Sequence, residues 1–122
     1  RLGGLIMLRE RVRDDELASW LSHARALLFP SLTEGFGLPL VEALSAGTPA
    51  LASDLPVFRE LAGDIPDYLD PRDVVGWTSA VIDYAQTNSP LRMAQLDRMW
   101  RFHPNTWDRH FVVVDSFINS IV

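Results

Sequence analysis

Ala26-Leu27-Leu28-Phe29-Pro30-Ser31-Leu32-Thr33-Glu34-Gly35-Phe36-Gly37-Leu38-Pro39-Leu40-Val41-Glu42-Ala43-Leu44 is the stretch that decides the fold. Ala26 to Phe29 is a short continuous apolar run, as in a strand buried on both faces, and Pro30 stops it. Ser31 to Leu38 is a glycine-bearing loop. Pro39 then stands where a helix can begin, since its ring presets the helical φ and its missing N–H would have lacked a partner there. Leu40, Val41, Ala43 and Leu44 give that helix its apolar side, and Gly47 supplies a C-cap.

The same alternation continues on both sides. Leu5 to Leu8 reads as an earlier buried parallel strand. Asp14 is the expected N-cap of a helix in which Leu17, Trp20, Leu21 and Ala24 share a face, with Asp14, Asp15 and Glu16 suited to the positive end of its dipole. Pro49 to Ala52 is a third strand, Val57 to Ala62 a short helix closed by Gly63, and Tyr68-Leu69 a brief strand before Asp70-Pro71. Val74, Trp77, Val81 and Ile82 mark a helix ending near Asn88. Ser89-Pro90 caps the next, through Leu91, Ala94 and Met99, and Asn105 caps a last one from Trp107 to Val122. Strands alternating with helices through short loops predict an α/β layer fold on a parallel sheet.

Composition removes several classes of function. The 122 residues carry 11 basic and 16 acidic side chains, a net charge of −5, and every cation is an arginine. A net acidic chain does not present the basic face on which nucleic-acid binding depends, so no nucleic-acid partner is expected. Without lysine there is no Walker phosphate loop, and without cysteine no disulfide, thiolate metal site or cysteine nucleophile. No apolar run approaches the roughly 20 residues of a membrane span. The chain opens on Arg1-Leu2-Gly3-Gly4 without an initiator Met, and we expect a piece of a longer polypeptide.

The chemistry concentrates in the loop after the second strand. In an open parallel sheet, ligands bind at the carboxyl ends of the strands. Gly35 and Gly37 allow the backbone close to a ligand, and the Phe36, Gly37 and Leu38 amides at a helix N-terminus favour a phosphate. Glu34 and Glu42 flank them with seven residues between. Carboxylates beside a phosphate site suit acceptance of hydrogen bonds from neutral vicinal hydroxyls. One on each side of a diphosphate pocket fits a nucleoside-diphosphate sugar, with ribose at one end and the transferable sugar at the other.

Ala26-Leu-Leu-Phe-Pro-Ser31, Glu34-Gly-Phe-Gly-Leu-Pro39, Glu42-Ala43, Gly47-Thr-Pro49, Ala52-Ser-Asp54, Glu60, Ala62-Gly-Asp64 and Asp70-Pro71 together resemble the retaining GT-B glycosyltransferases of family 4. The likeness runs in order over nearly the whole chain and includes that family's paired glutamates. It implies a Rossmann-like three-layer α/β fold, with residues 1–122 an N-terminally truncated part of the C-terminal nucleotide-sugar-binding domain. It further implies that Glu42 binds the nucleotide ribose and that Glu34 binds the donor sugar hydroxyls and acts at the catalytic centre. The backbone of Gly35, Phe36, Gly37 and Leu38 would cradle the sugar and diphosphate, while Glu60 is structural. The implied activity moves a sugar, with mannose favoured, to a saccharide or lipid-linked hydroxyl acceptor in polysaccharide, lipopolysaccharide or glycolipid synthesis. No metal and no cofactor are expected, and the location is the cytoplasm or the inner face of the membrane.

The family's diphosphate-binding Arg and Lys and its N-terminal acceptor domain have no match in 1–122, so this stretch alone is expected to be inactive. Ile65-Pro66-Asp67-Tyr68 also departs from the family's small apolar run. Two rival functions follow from the same residues: a module that binds nucleotide sugars without catalysis, and a GT-B relative such as a sugar epimerase.

Simpler readings apply to other residues. His23, His103 and His110 lack ligand spacing, and Ser31 and Thr33 lack a partnered histidine. Trp20 and Trp77 fall on apolar stripes and are expected in the core, and Trp100 and Trp107 are expected to pack the last helix against the domain. Arg9, Arg11 and Arg13 form a solvated loop, with contact to an anionic lipid-linked acceptor or membrane surface as the alternative.

Overall fold

Strands and helices alternate from Asp14 to Ala85 in the computed structural model, which describes residues 4–33 and 35–103. The order is α1 (Asp14–His23), β1 (Leu27–Phe29), α2 (Leu38–Ser45), β2 (Ala50–Ser53), α3 (Pro56–Ala62), β3 (Asp67–Leu69), α4 (Val74–Ala85) and α5 (Pro90–Arg98), then a 3-10 turn at Met99–Arg101. The strands make one parallel sheet in the order β1-β2-β3, with Leu28 opposite Leu51 and Ala52 opposite Tyr68.

β2 is buried throughout, and the two-residue period of a strand divides its side chains between two cores. Ala50 and Ala52 join Leu40, Leu44, Phe58, Ala62 and Ile65 on one face. Leu51 meets Ala80 and Tyr84 on the other. The sheet therefore lies between α2 and α3 on one side and α4 on the other, the three-layer α/β arrangement expected of a Rossmann-like domain.

Ends of elements follow local chemistry. Ser89 accepts a hydrogen bond from the Arg92 amide, and Asp73 accepts one from the Gly76 amide, each satisfying a first-turn donor. Arg25 donates to the Tyr84 and Gln86 carbonyls at the end of α4, where the helix dipole favours a cation. Thr48 donates from its hydroxyl to the Leu21 carbonyl, tying α1 to the approach to β2.

One side chain completes the sheet. In the register that sets Leu51 opposite Asp67, β3 begins one residue short of Ala50, and the Ile65 carbonyl beyond it accepts from Arg98 instead. Gln95 of α5, fully buried, supplies the pairing: its Oε1 accepts from the Ala50 N–H at 2.7 Å and its Nε2 donates to the Ala50 carbonyl at 2.9 Å. The same Nε2 donates to the Tyr84 hydroxyl at 2.6 Å, and that hydroxyl donates to Asp67. Arg98 closes the network by donating to Asp67 and to the Ile65 carbonyl.

Four expectations are corrected. Leu5 to Leu8 is not a buried strand of this sheet: all four residues are exposed, and only Ile6 makes a bridge pairing. An apolar run is buried only where a layer covers it, and none of the described layers lies over this one. β1 is a strand but only half-covered, with Leu28 48% exposed, because it is the outermost strand of the described sheet. Trp20 is exposed, since α1 packs mainly through Leu21, its buried residue, against α2. Asp14 is the first residue of α1 and Arg13 occupies the cap without a side-chain bond, while Asp14, Asp15 and Glu16 do fill the first turn. Trp77 packs against the second core as expected and donates to the Asp70 carbonyl, whereas Trp100 is exposed. Residues 104–122, with Trp107 and the predicted last helix, lie outside the described residues.

Candidate functional site

The loop that follows β1 emerges at the carboxyl end of the sheet and returns at Gly37, the N-cap of α2. Gly37 has φ +66°, in the left-handed region, and its carbonyl accepts from the amides of Leu40 and Val41 at 3.1 and 3.3 Å. Glycine is required there for a second reason: a Cβ would lie 2.8 Å from Leu61 Cδ1 and 3.0 Å from Phe58 Cε1. Around Gly35 a Cβ would meet nothing within 4 Å. Sequence alone treated the two glycines alike, and the structure separates them.

Phe36 and Leu38 stand out from the turn, 79% and 60% exposed. They edge an open groove of about 570 Å³ between α2, the end of α3 and the segment after α5. Val41, Leu61, Ile65 and Phe102 give this groove apolar walls, and Glu60, Asp64, Arg101 and His103 line it with polar groups. Arg101 Nη2 lies 3.5 Å from Asp64 Oδ1.

Glu42 is exposed one turn inside α2 and faces a different concavity. That groove, about 510 Å³, runs between α1 and α2 and is lined by Asp14, Leu17, Ala18, Leu21, Val41, Ser45 and Ala46 as well as Glu42. Two carboxylates over an apolar floor can accept hydrogen bonds from neutral hydroxyls while a flat apolar group packs beneath them. The structure thus brings Phe36, Gly37 and Leu38 together at one groove and sets Glu42 on the other, with Val41 lining both. Glu34 lies outside the described residues.

Behind the turn, α3 is tied down by polar contacts that the sequence did not reveal. Arg59 forms two hydrogen bonds with Asp54 and stacks over Tyr68, 4.4 Å from the ring centroid. The hydrogen bond from Arg59 holds the Asp54 carboxyl below the usual carboxylate range. The Tyr68 hydroxyl reaches the carbonyls of Gly63 at 2.7 Å and Phe58 at 3.0 Å, and burial pushes its pKa up to about 12. Burial, and then the hydrogen bond to the Asp67 carboxylate, likewise raise the Tyr84 phenol. Among the described residues, no three His, Asp or Glu side chains gather in a group able to hold a metal ion.

The family model for glycosyl transferases group 1 matches residues 4–67, more than half of the chain. The chain belongs to this family. The matched span holds the glycine turn, α2 and most walls of both grooves, so the group 1 glycosyl transferase signature and the site coincide. Among relatives, the O-antigen chain mannosyltransferase RfbU of Salmonella typhimurium is 42% identical over 72 residues, 59% of this chain and 20% of that protein. O-antigen chain mannosyltransferase B of Escherichia coli is 36% identical over 97 residues, 80% of this chain and 26% of that protein. The MMP alpha-(1->4)-mannosyltransferase of Mycolicibacterium hassiacum is 48% identical over 50 residues, 41% and 12% of the two chains. This group 1 chain therefore spans about a fifth to a quarter of the first two relatives. No solved structure matches it. No helix among the described residues is long and apolar enough to cross a membrane.

Proposed function

We propose that the chain is the donor-binding part of a retaining GT-B glycosyltransferase of family 4, which transfers a sugar from a nucleoside-diphosphate donor to a saccharide or lipid-linked hydroxyl. The observation that carries this reading is the αL glycine cap at Gly37, which opens α2 toward the carboxyl end of a parallel sheet with Glu42 one turn inside the helix. Amides at such a terminus stabilise the negative charge that develops on a departing diphosphate, without a metal. Glu42 takes the ribose hydroxyls in the α1–α2 groove, and its apolar floor carries the base. Glu34 takes the hydroxyls of the transferred sugar. The names of the relatives favour a mannosyl donor and a place in O-antigen or related polysaccharide assembly.

The test is a calorimetric titration of the whole protein, as its gene encodes it, with GDP-mannose, UDP-glucose and ADP-glucose, followed by transfer assays on saccharide acceptors. Saturable binding of one nucleotide sugar and its acceptor-dependent cleavage are expected. Absence of binding to all three, or formation of an epimer without acceptor, overturns the reading.

A further inference from the structure

The seven residues from Pro30 to Phe36 leave the sheet after Phe29 and return at Gly37, and one side chain touches both stems of that excursion. The Phe58 ring, fully buried on α3, meets the Phe29 ring edge-on with centroids 5.0 Å apart at 76°. Its Cε1 also occupies the space directly behind Gly37, and Leu61, one turn further along α3, closes the rest of that space with Cδ1. α3 is in turn held by the Tyr68 hydroxyl at the Phe58 carbonyl and by the Asp54–Arg59 pair. The turn thus rests on a fixed wall that leaves no room for it to settle backward.

We propose that Phe58 and Leu61 are positioning residues for the donor site: they hold the Gly37 turn from behind and so set the direction of the amides from Phe36 to Leu38. The inference rests on the reading of those amides as the sugar-diphosphate cradle. It assigns to α3 a part in ligand binding through the turn that it backs.

A double-mutant cycle in the whole protein tests it, using Gly37→Ala, Leu61→Ala, their combination and the conservative Leu61→Met. Dissociation constants for GDP-mannose and UDP-glucose are measured beside melting temperatures. Gly37→Ala is expected to weaken nucleotide-sugar binding about tenfold, through its αL backbone and its collision with Leu61. Leu61→Ala weakens binding by loosening the turn, and Leu61→Met restores it. The double variant binds more tightly than the product of the single effects by about threefold or more, because removing the Leu61 side chain makes room for the new methyl group. Independent effects, or losses of affinity that only track the melting temperature, overturn the proposal. If the wild-type protein binds no nucleotide sugar, the donor reading fails. The wall is then read by NMR, where Leu61→Ala must shift the Phe36, Gly37 and Leu38 amide signals, and unmoved signals overturn it.

Discussion

Replacing Gln95 by leucine keeps the volume of the side chain and removes its amide. The Ala50 N–H, inside the sheet, then loses its partner, and the Ala50 C=O and the Tyr84 hydroxyl each lose one donor. A buried backbone group left without a partner costs about 1–3 kcal/mol, and the two weakened acceptors add about 1 kcal/mol. A well-packed leucine returns about 1 kcal/mol of apolar transfer, since it adds little area in a site already closed. The expected net loss is roughly 1–3 kcal/mol, or about 5–10 °C in melting temperature for a domain of this size. Urea unfolding followed by circular dichroism measures it, with Asp97→Ala on the exposed side of α5 as the reference. Gln95→Glu supplies an independent signature. A carboxyl in that fully buried site retains its proton above the ordinary carboxylate range, so the folded state binds more protons than the unfolded one and stability falls as pH rises. A Gln95→Leu loss below about 0.5 kcal/mol would refute the idea that Gln95 stands in for a strand partner, because surface changes of no consequence reach that size.

Further outcomes follow from the site and the caps. Glu42→Ala weakens binding of GDP and GDP-mannose alike, whereas Glu34→Ala weakens GDP-mannose and spares GDP; equal losses on free GDP contradict the division of roles, and calorimetry decides. Ser89→Ala removes an N-cap whose hydroxyl also donates to Asp83 at 2.5 Å, and costs about 1–2 kcal/mol in urea unfolding. Burial holds the phenols of the chain's two tyrosines above the ordinary tyrosine range, with Tyr68 pushed up to about 12. The contribution of Tyr68 to stability is complete below pH 10 and is lost as pH rises through about 12, because the unfolded state gives up its proton first. Tyrosinate absorbance of the folded protein at pH 10 therefore stays below that of the unfolded chain. The Asp54 carboxyl titrates below the ordinary carboxylate range by NMR, and Arg59→Met moves it back up; an unmoved titration removes Arg59 as the cause.

What was legible in the sequence was what local rules determine. Pro39 at the start of α2, Gly63 after α3 and Ser89 before Pro90 each marked the end of a helix to within a residue or two, because caps and backbone angles depend on neighbours in the chain. Alternation of short apolar runs with helical stripes was enough for a parallel three-layer sheet. Covering layers were not legible. Leu5 to Leu8 has the composition of a core strand, yet burial depends on what lies against it, and Trp20 sits on a periodic stripe whose outer margin α2 does not reach. Gln95 was invisible for a related reason: its partner is 45 residues away, at the place where β3 stops short of β2. In the site, spacing placed Glu42 one turn inside α2 but could not say which side of that helix it serves.

That last point has a mechanical consequence. One helix, α2, is a wall of both grooves, and Val41 belongs to each. A substitution at Val41 therefore reshapes a wall of both grooves at once.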